Sequence, residues 1–277
     1  MKKTVRILAI VLIAVFFSFP VYAESSDPAD QPWDRFSFDL GGYIADINSS
    51  VTLGSGTLGL GASVDVEEAL GLDSSMSVLK AGVRYRFGST RRHVLGLQYY
   101  DFRRSSTKTL ETDITWQDKT YTAGTTVESY LDIGVLKAGY SYAFFQDDRI
   151  SLAASIGLFI TPIEGGISAA GVGTAEESIT APLPVVGMSF DFAITPKLFI
   201  KQSLEVFYLE IGDFKGSISS FTIACEYDFW KNVGFGLGYD VFDLKLEANG
   251  SDYPTIDFVG KIEFAYSGLL LYTKIYF

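Results

Sequence analysis

The residues able to do chemistry are few in this sequence and poorly spaced for it. One histidine, His93, and one cysteine, Cys225, occur in 277 residues. One of each cannot assemble a zinc cluster, and Cys225 has no partner for an internal disulfide. Carboxylates are abundant, but the pairs Glu67-Glu68, Asp147-Asp148 and Glu176-Glu177 are sequence neighbours. Neighbours on a strand point to opposite faces, so these pairs do not converge for general acid–base work and read as solvated loop charge. Asp65, Glu67, Glu68 and Asp73 offer oxygen ligands to a hard divalent cation, without calcium-loop spacing. No catalytic residue, metal or cofactor is expected.

The elements that must hold the remaining charges are two-faced strands. In 219–230, Phe221, Ile223, Cys225, Tyr227 and Phe229 share one parity, while Ser220, Thr222, Ala224, Glu226 and Asp228 share the other. In 77–87, Leu79, Ala81, Val83, Tyr85 and Phe87 alternate with Val78, Lys80, Gly82, Arg84 and Arg86. Period two means β-structure with one apolar face. Ten strands are expected, near 35–53, 75–87, 93–107, 124–145, 149–169, 182–194, 198–212, 217–230, 233–247 and 255–277, with eight or twelve as alternatives. The segment 54–74 is either a further hairpin or one long loop with a helical turn at VEEAL. Pro182 and Pro184 are expected to start a strand, where proline is tolerated.

A soluble sandwich would also alternate, so the solvent must be argued separately. Several stretches match or exceed the roughly 9 to 11 residues that cross a bilayer at a tilt. Aromatics gather at strand ends beside the short turns GSTRR, QDD, TPK and WKN, as at Tyr85 with Phe87 and Tyr227 with Phe229 and Trp230. Rings collected at one level form a membrane-interface girdle, and short turns on one side with long loops on the other are the habit of membrane barrels. Lipid satisfies no backbone group, so such a sheet has to close. The expected fold is all-β: a closed antiparallel transmembrane β-barrel. In several strands the apolar parity slips: Leu131, Ile133 and Val135 give way to Leu136, Ala138 and Tyr140, and Phe258, Ile262, Phe264 and Tyr266 give way to Leu269, Leu271 and Ile275. Either a bulge intervenes, or the outer half stands above the lipid.

The ends agree with export. Lys2, Lys3 and Arg6 precede an apolar run over 7–17, then Val21-Tyr22-Ala23. This reads as a signal peptide over 1–23 with cleavage after Ala23, followed by a polar lead-in over 24–34 and the barrel over 35–277. The chain carries 22 basic and 33 acidic residues, and losing the leader's three basic ones deepens its net charge from −11 to −14. That balance excludes nucleic acid and disfavours other phosphate-rich partners.

The last ten residues, GLLLYTKIYF, alternate to a terminal Phe277. They resemble the C-terminal signal of bacterial outer-membrane β-barrels, with Ile275 where that family often has Tyr. The resemblance implies residence in the outer membrane, insertion by the barrel-assembly machinery, and outer-membrane lipid and lipopolysaccharide as surroundings. Barrel enzymes of comparable size, the omptin proteases and lipid A deacylases, use histidine at the outer side. His93 follows GSTRR at the expected inner rim, so a non-enzymatic protein is expected.

Inward positions would carry Asp39, Lys80, Arg84, Arg86, Lys137, Asp191, Lys201, Glu205, Glu226, Asp228, Asp240 and Lys274, the signs balanced. Charges inside a narrow barrel must pair or hold water. A salt-bridged, largely filled lumen in a structural or surface-binding protein is the first expectation, and a narrow channel for small or apolar solutes the second. Gly234, Gly236 and Gly238 are expected to leave room on one wall.

Overall fold

The computed structural model describes residues 32–55, 59–116, 119–212, 214–248 and 260–277. The leader with its Ala23 cleavage point, and most of the lead-in, lie outside them. The alternating stretches form β1 (Phe36–Ser55), β3 (Ser75–Phe87), β4 (His93–Thr109), β7 (Thr126–Gln146), β8 (Ile150–Ala169), β9 (Gly173–Thr195), β10 (Leu198–Ile211), β11 (Phe214–Trp230), β12 (Val233–Ala248) and β13 (Gly260–Tyr276). Each pairs antiparallel with the next, and β13 returns to β1 from Ser37↔Tyr276 to Leu53↔Gly260. The result is a closed ring of ten strands, which removes every sheet edge within its lower half.

Short turns join the strands at the inner end. Arg91 and Asn232 take left-handed conformations there, with φ of 52° and 68°. The Asn232 amide donates to the Tyr276 carbonyl at 2.6 Å, tying a turn to the last strand. Terminal Phe277 exchanges backbone hydrogen bonds with Phe36. The chain's final residue thus closes the cylinder at its inner rim.

The outer end carries additions beyond the ring. Over 54–74 the structure combines both sequence alternatives: a short strand β2 (Gly59–Asp65) pairs with β1, and a helical turn α1 (Val66–Leu70) follows. Asp65 caps α1 by accepting from the Glu68 amide, and Gly71, at φ 73°, ends it. β3 pairs with β4 only along Lys80–Phe87, so the wall beside the upper part of β4 is left open. α1 fills that gap. Buried Arg104 of β4 pairs with Glu67 and donates to Ser49 Oγ at 2.9 Å, and the Lys108 amine donates to the Glu68 carbonyl. A second small hairpin, β5 (Ile114–Trp116) with β6 (Lys119–Tyr121), was not expected from the sequence.

β9 begins nine residues before its expected start, so Pro182 and Pro184 sit within it. They are tolerated because the ladder to β10 stops at Val186, leaving that stretch an edge on one side.

The parity slip has a simple cause. Registers run unbroken from Tyr100↔Val135 to Tyr99↔Leu136 and along β12–β13, with no bulge at either slip. The strand keeps its facing and the environment changes around it. Below the slip, Leu40, Ile44, Leu79, Leu97, Ile156, Val186, Leu237 and Leu271 point outward and are exposed. Above it, Asp46, Asn48, Arg103, Glu128 and Lys245 are the outward residues. Meanwhile Tyr43, Ile47, Phe102, Ile133, Val135, Leu183, Leu244 and Phe264 fill the interior. The barrel's lower half is apolar outside and its upper half apolar inside.

Candidate functional site: the lumen

The lower lumen gathers eleven of the twelve inward charges named from the sequence. Glu226 of β11 is the hub. Its side chain is 1% exposed and accepts from Lys201 Nζ at 2.5 Å and the Tyr272 hydroxyl at 2.6 Å, with Lys274 Nζ at 3.2 Å and Arg84 at 3.5 Å. Lys274 also pairs with Asp228 at 2.8 Å and with Asp34, from the lead-in, at 3.2 Å. Arg86 meets Asp191 at 3.1 Å, Lys137 meets Glu205 at 2.5 Å, and Arg84 reaches Asp39 at 3.9 Å. Each strand supplies these groups at period two on its inner face, and closure of the ring brings distant ones together.

A cavity of about 210 Å³ remains among Asp39, Lys80, Arg84, Lys137, Glu205 and Glu226. Lys80 is the exception to the pairing. Its amine lies 5.1 Å from the centre of the Tyr43 ring and, among the described residues, no carboxylate comes within 4.0 Å of it. The glycines of β12 do not create this space. A Cβ at Gly236 would fall 2.1 Å from the Tyr272 ring and one at Gly234 2.5 Å from Asp228 Oδ1. The room those two leave is occupied by the Tyr272 and Asp228 side chains, and a Cβ at Gly238 would fall 2.7 Å from the Ile223 carbonyl oxygen of the neighbouring strand.

Asp240 is placed apart from the ion pairs, in the roof. It accepts from Thr222 at 2.8 Å, Tyr266 at 3.1 Å and Tyr43 at 3.3 Å, and the Tyr100 and Tyr266 hydroxyls lie 3.1 Å apart. Three hydroxyl donors replace the water a buried carboxylate would lose. Over this layer Phe102, Phe159, Phe242 and Phe264 pack with ring centroids 5.1 to 6.3 Å apart. These side chains are almost wholly buried.

Trp33 forms the floor. Its indole donates to the Asp147 carbonyl at 2.7 Å and packs on Phe199, with the Arg86 guanidinium 5.5 Å from the ring. Arg91 donates to the Trp33 carbonyl at 3.0 Å. Trp33 is the one large apolar residue of the otherwise polar lead-in over 24–34. Tyr43, Tyr266 and Tyr272 share the parity of a lumen charge on their own strands, Asp39 and Lys274, whereas Tyr100 stands on β4, which carries none of the twelve.

The other candidates do not converge. His93 faces outward at the inner rim, stacked on Phe87 with centroids 5.1 Å apart and with Nδ1 2.7 Å from the Tyr140 hydroxyl. Of the outer acids, Glu67 is turned inward to Arg104 and Asp65 is used as a helix cap. Among the described residues no group of three His, Cys, Asp or Glu side chains could hold a metal ion. Cys225 is exposed on the outward face.

No protein-family model matches the chain, and no curated protein sequence does. Solved structures do. The outer-membrane protease OmpT of Escherichia coli superimposes with a TM-score of 0.56 at 8% identity, over 92% of this chain and 99% of that one. The chain has the outer-membrane β-barrel fold. This barrel also aligns, at TM-scores of 0.39 and 0.37, with the attachment invasion locus protein Ail of Yersinia pestis and the toluene transporter TodX of P. putida. Identities are 12% and 8%, covering 87% and 91% of this chain and 97% and 93% of those. At such identities the likeness is one of fold. Its exposed apolar belt, topped by a polar outer wall, makes this outer-membrane barrel an integral membrane protein.

Proposed function

We propose that this protein is a non-enzymatic, non-conducting barrel of the outer membrane, structural or surface-binding, whose lumen is filled. The observation that carries the reading is the roof: Tyr43, Tyr100, Phe102, Phe159, Phe242, Phe264 and Tyr266 cross the lumen, each at most 3% exposed. A solute path would have to part a close-packed aromatic layer backed by the hydrogen-bonded Asp240. What the protein offers its surroundings is then its outer wall and loops, beside lipopolysaccharide, with the barrel-assembly machinery as its partner during insertion.

Planar-bilayer recording of the purified chain tests this. No stable unitary current is expected, and reproducible single-channel steps would overturn it. The second reading, a narrow channel, is favoured by the cavity of about 210 Å³ and by Lys80 facing it; such steps are its expected signature. An enzymatic reading has less support, because His93 lies at the inner rim, at the opposite end of the barrel from the outer cleft that Glu128 and Glu176 line.

A further inference from the structure

The basic residues divide by location in a way that net charge conceals. On the upper wall, Arg103 pairs with Asp101, Arg104 with Glu67, Lys215 with Glu210, and both Lys245 and Lys261 with Glu263. Lys108 and Lys119 donate to the carbonyls of Glu68 and Thr174. In the lumen all but Lys80 have carboxylate partners. The inner rim is different.

Each of the four inner turns carries at least one basic residue: Arg91 and Arg92 between β3 and β4, Arg149 between β7 and β8, Lys197 between β9 and β10, and Lys231 between β11 and β12. Arg35 occupies the fifth inner position, where β1 meets β13. Arg91 is engaged with the Trp33 carbonyl. The side chains of Arg35, Arg92, Arg149, Lys197 and Lys231 form no ion pair with another described residue. They project just below the aromatic girdle of Phe36, Tyr85, Tyr142, Phe144, Phe229, Trp230 and Phe277, all exposed. Rings at that height mark the level of lipid headgroups.

We propose that this collar of unpaired cations binds the phosphodiester headgroups of anionic phospholipids in the inner leaflet. The inference rests on the short turns facing inward, and it stands whether or not the lumen conducts. Charge complementarity decides the occupant: in a chain with a net charge of −11, the described cations without an ion-pair or hydrogen-bond partner are Lys80, enclosed in the lumen, and this collar, which lies where lipid phosphates do.

The test reconstitutes the folded chain into vesicles of equal phosphatidylglycerol and phosphatidylcholine and measures the lipids that co-purify with it by mass spectrometry. Wild type is expected to retain phosphatidylglycerol preferentially, with the preference falling as salt rises. Combined substitution Arg92→Gln, Arg149→Gln, Lys197→Gln and Lys231→Gln is expected to abolish the preference, at about fivefold per charge. Substitution Lys215→Gln, Lys245→Gln and Lys261→Gln on the upper wall is expected to leave it unchanged. Equal retention by wild type and the inner-rim variant, or equal loss in the upper-wall control, overturns the proposal, as does binding to isolated cell wall with no lipid preference. Should the combined variant fail to fold, Lys197→Gln and Lys231→Gln tested singly give the same reading.

Discussion

The two halves of this barrel solve opposite problems with one strand pattern. Below the slip, β1 turns Leu40 and Ile44 to the outside and Asp39 inward. Above it, the same strand turns Asn48 outward and packs Ile47 and Val51 inside. The lower half follows the rule for a membrane barrel, where lipid covers the apolar face and backbone closure is obligatory. The upper half follows the rule for a soluble one, where water covers the polar face and the interior forms the core. A strand therefore needs no kink or bulge to leave a membrane: its sequence inverts polarity at fixed facing.

The largest effect that can test this contrast comes from the upper core. Phe102→Ala and Phe264→Ala, each at a site 1% exposed or less, are expected to cost about 3–5 kcal/mol in reversible denaturant unfolding from lipid vesicles. A loss below about 1 kcal/mol would mean that the upper half is not a packed core. In the lower half the equivalent centre is Glu226. Replacing it by Gln leaves Arg84, Lys201 and Lys274 facing one another without their shared carboxylate, with about 3–5 kcal/mol expected to be lost in the same assay.

The outward face gives a sharper comparison on a single strand. Leu40→Arg places a charge in the lipid belt and is expected to cost about 2–4 kcal/mol. Asn48→Arg, on the same face above the belt, is expected to shift stability by no more than about 0.5 kcal/mol. Equal effects at the two positions would erase the boundary drawn between the halves. The smallest effect is electrostatic. At the outer end of β10, the Tyr208 hydroxyl and Lys215 hold the Glu210 carboxyl below its usual range. A depressed carboxyl stabilises the fold above its unfolded-state pKa, and this contribution disappears as pH falls through the folded value. Because these groups are exposed, Glu210→Gln is expected to remove only a small, salt-sensitive part of the acid dependence of unfolding.

Strand number, inner turns and the identity of most lumen charges were legible because period two and aromatic girdles are local signals. The pairing of Glu226 with Arg84, Lys201 and Lys274 was not, since it depends on which strands the closed ring sets opposite one another. The upper core was misleading for a related reason. Alternation reports that a strand has two faces but not which one is inside, so the sequence leaves the slip between Ile133 and Leu136 open between a bulge and an outer half above the lipid, and only the unbroken register decides for the second. α1 was visible in VEEAL as a turn, whereas its role in sealing the gap beside β4 follows only from the shortness of β3. β5 and β6, at three residues each, are too short to carry a periodic signal.

The docking of Trp33 has a consequence for assembly. Its hydrogen-bond partner, the Asp147 carbonyl, lies 114 residues further along the chain, and the ring it packs on, Phe199, comes later still. The earliest described stretch of the polypeptide can therefore find its seat only after most of the wall has been laid down. It works as a latch, thrown when construction is nearly complete, and the environment of that indole distinguishes a finished cylinder from one still under construction.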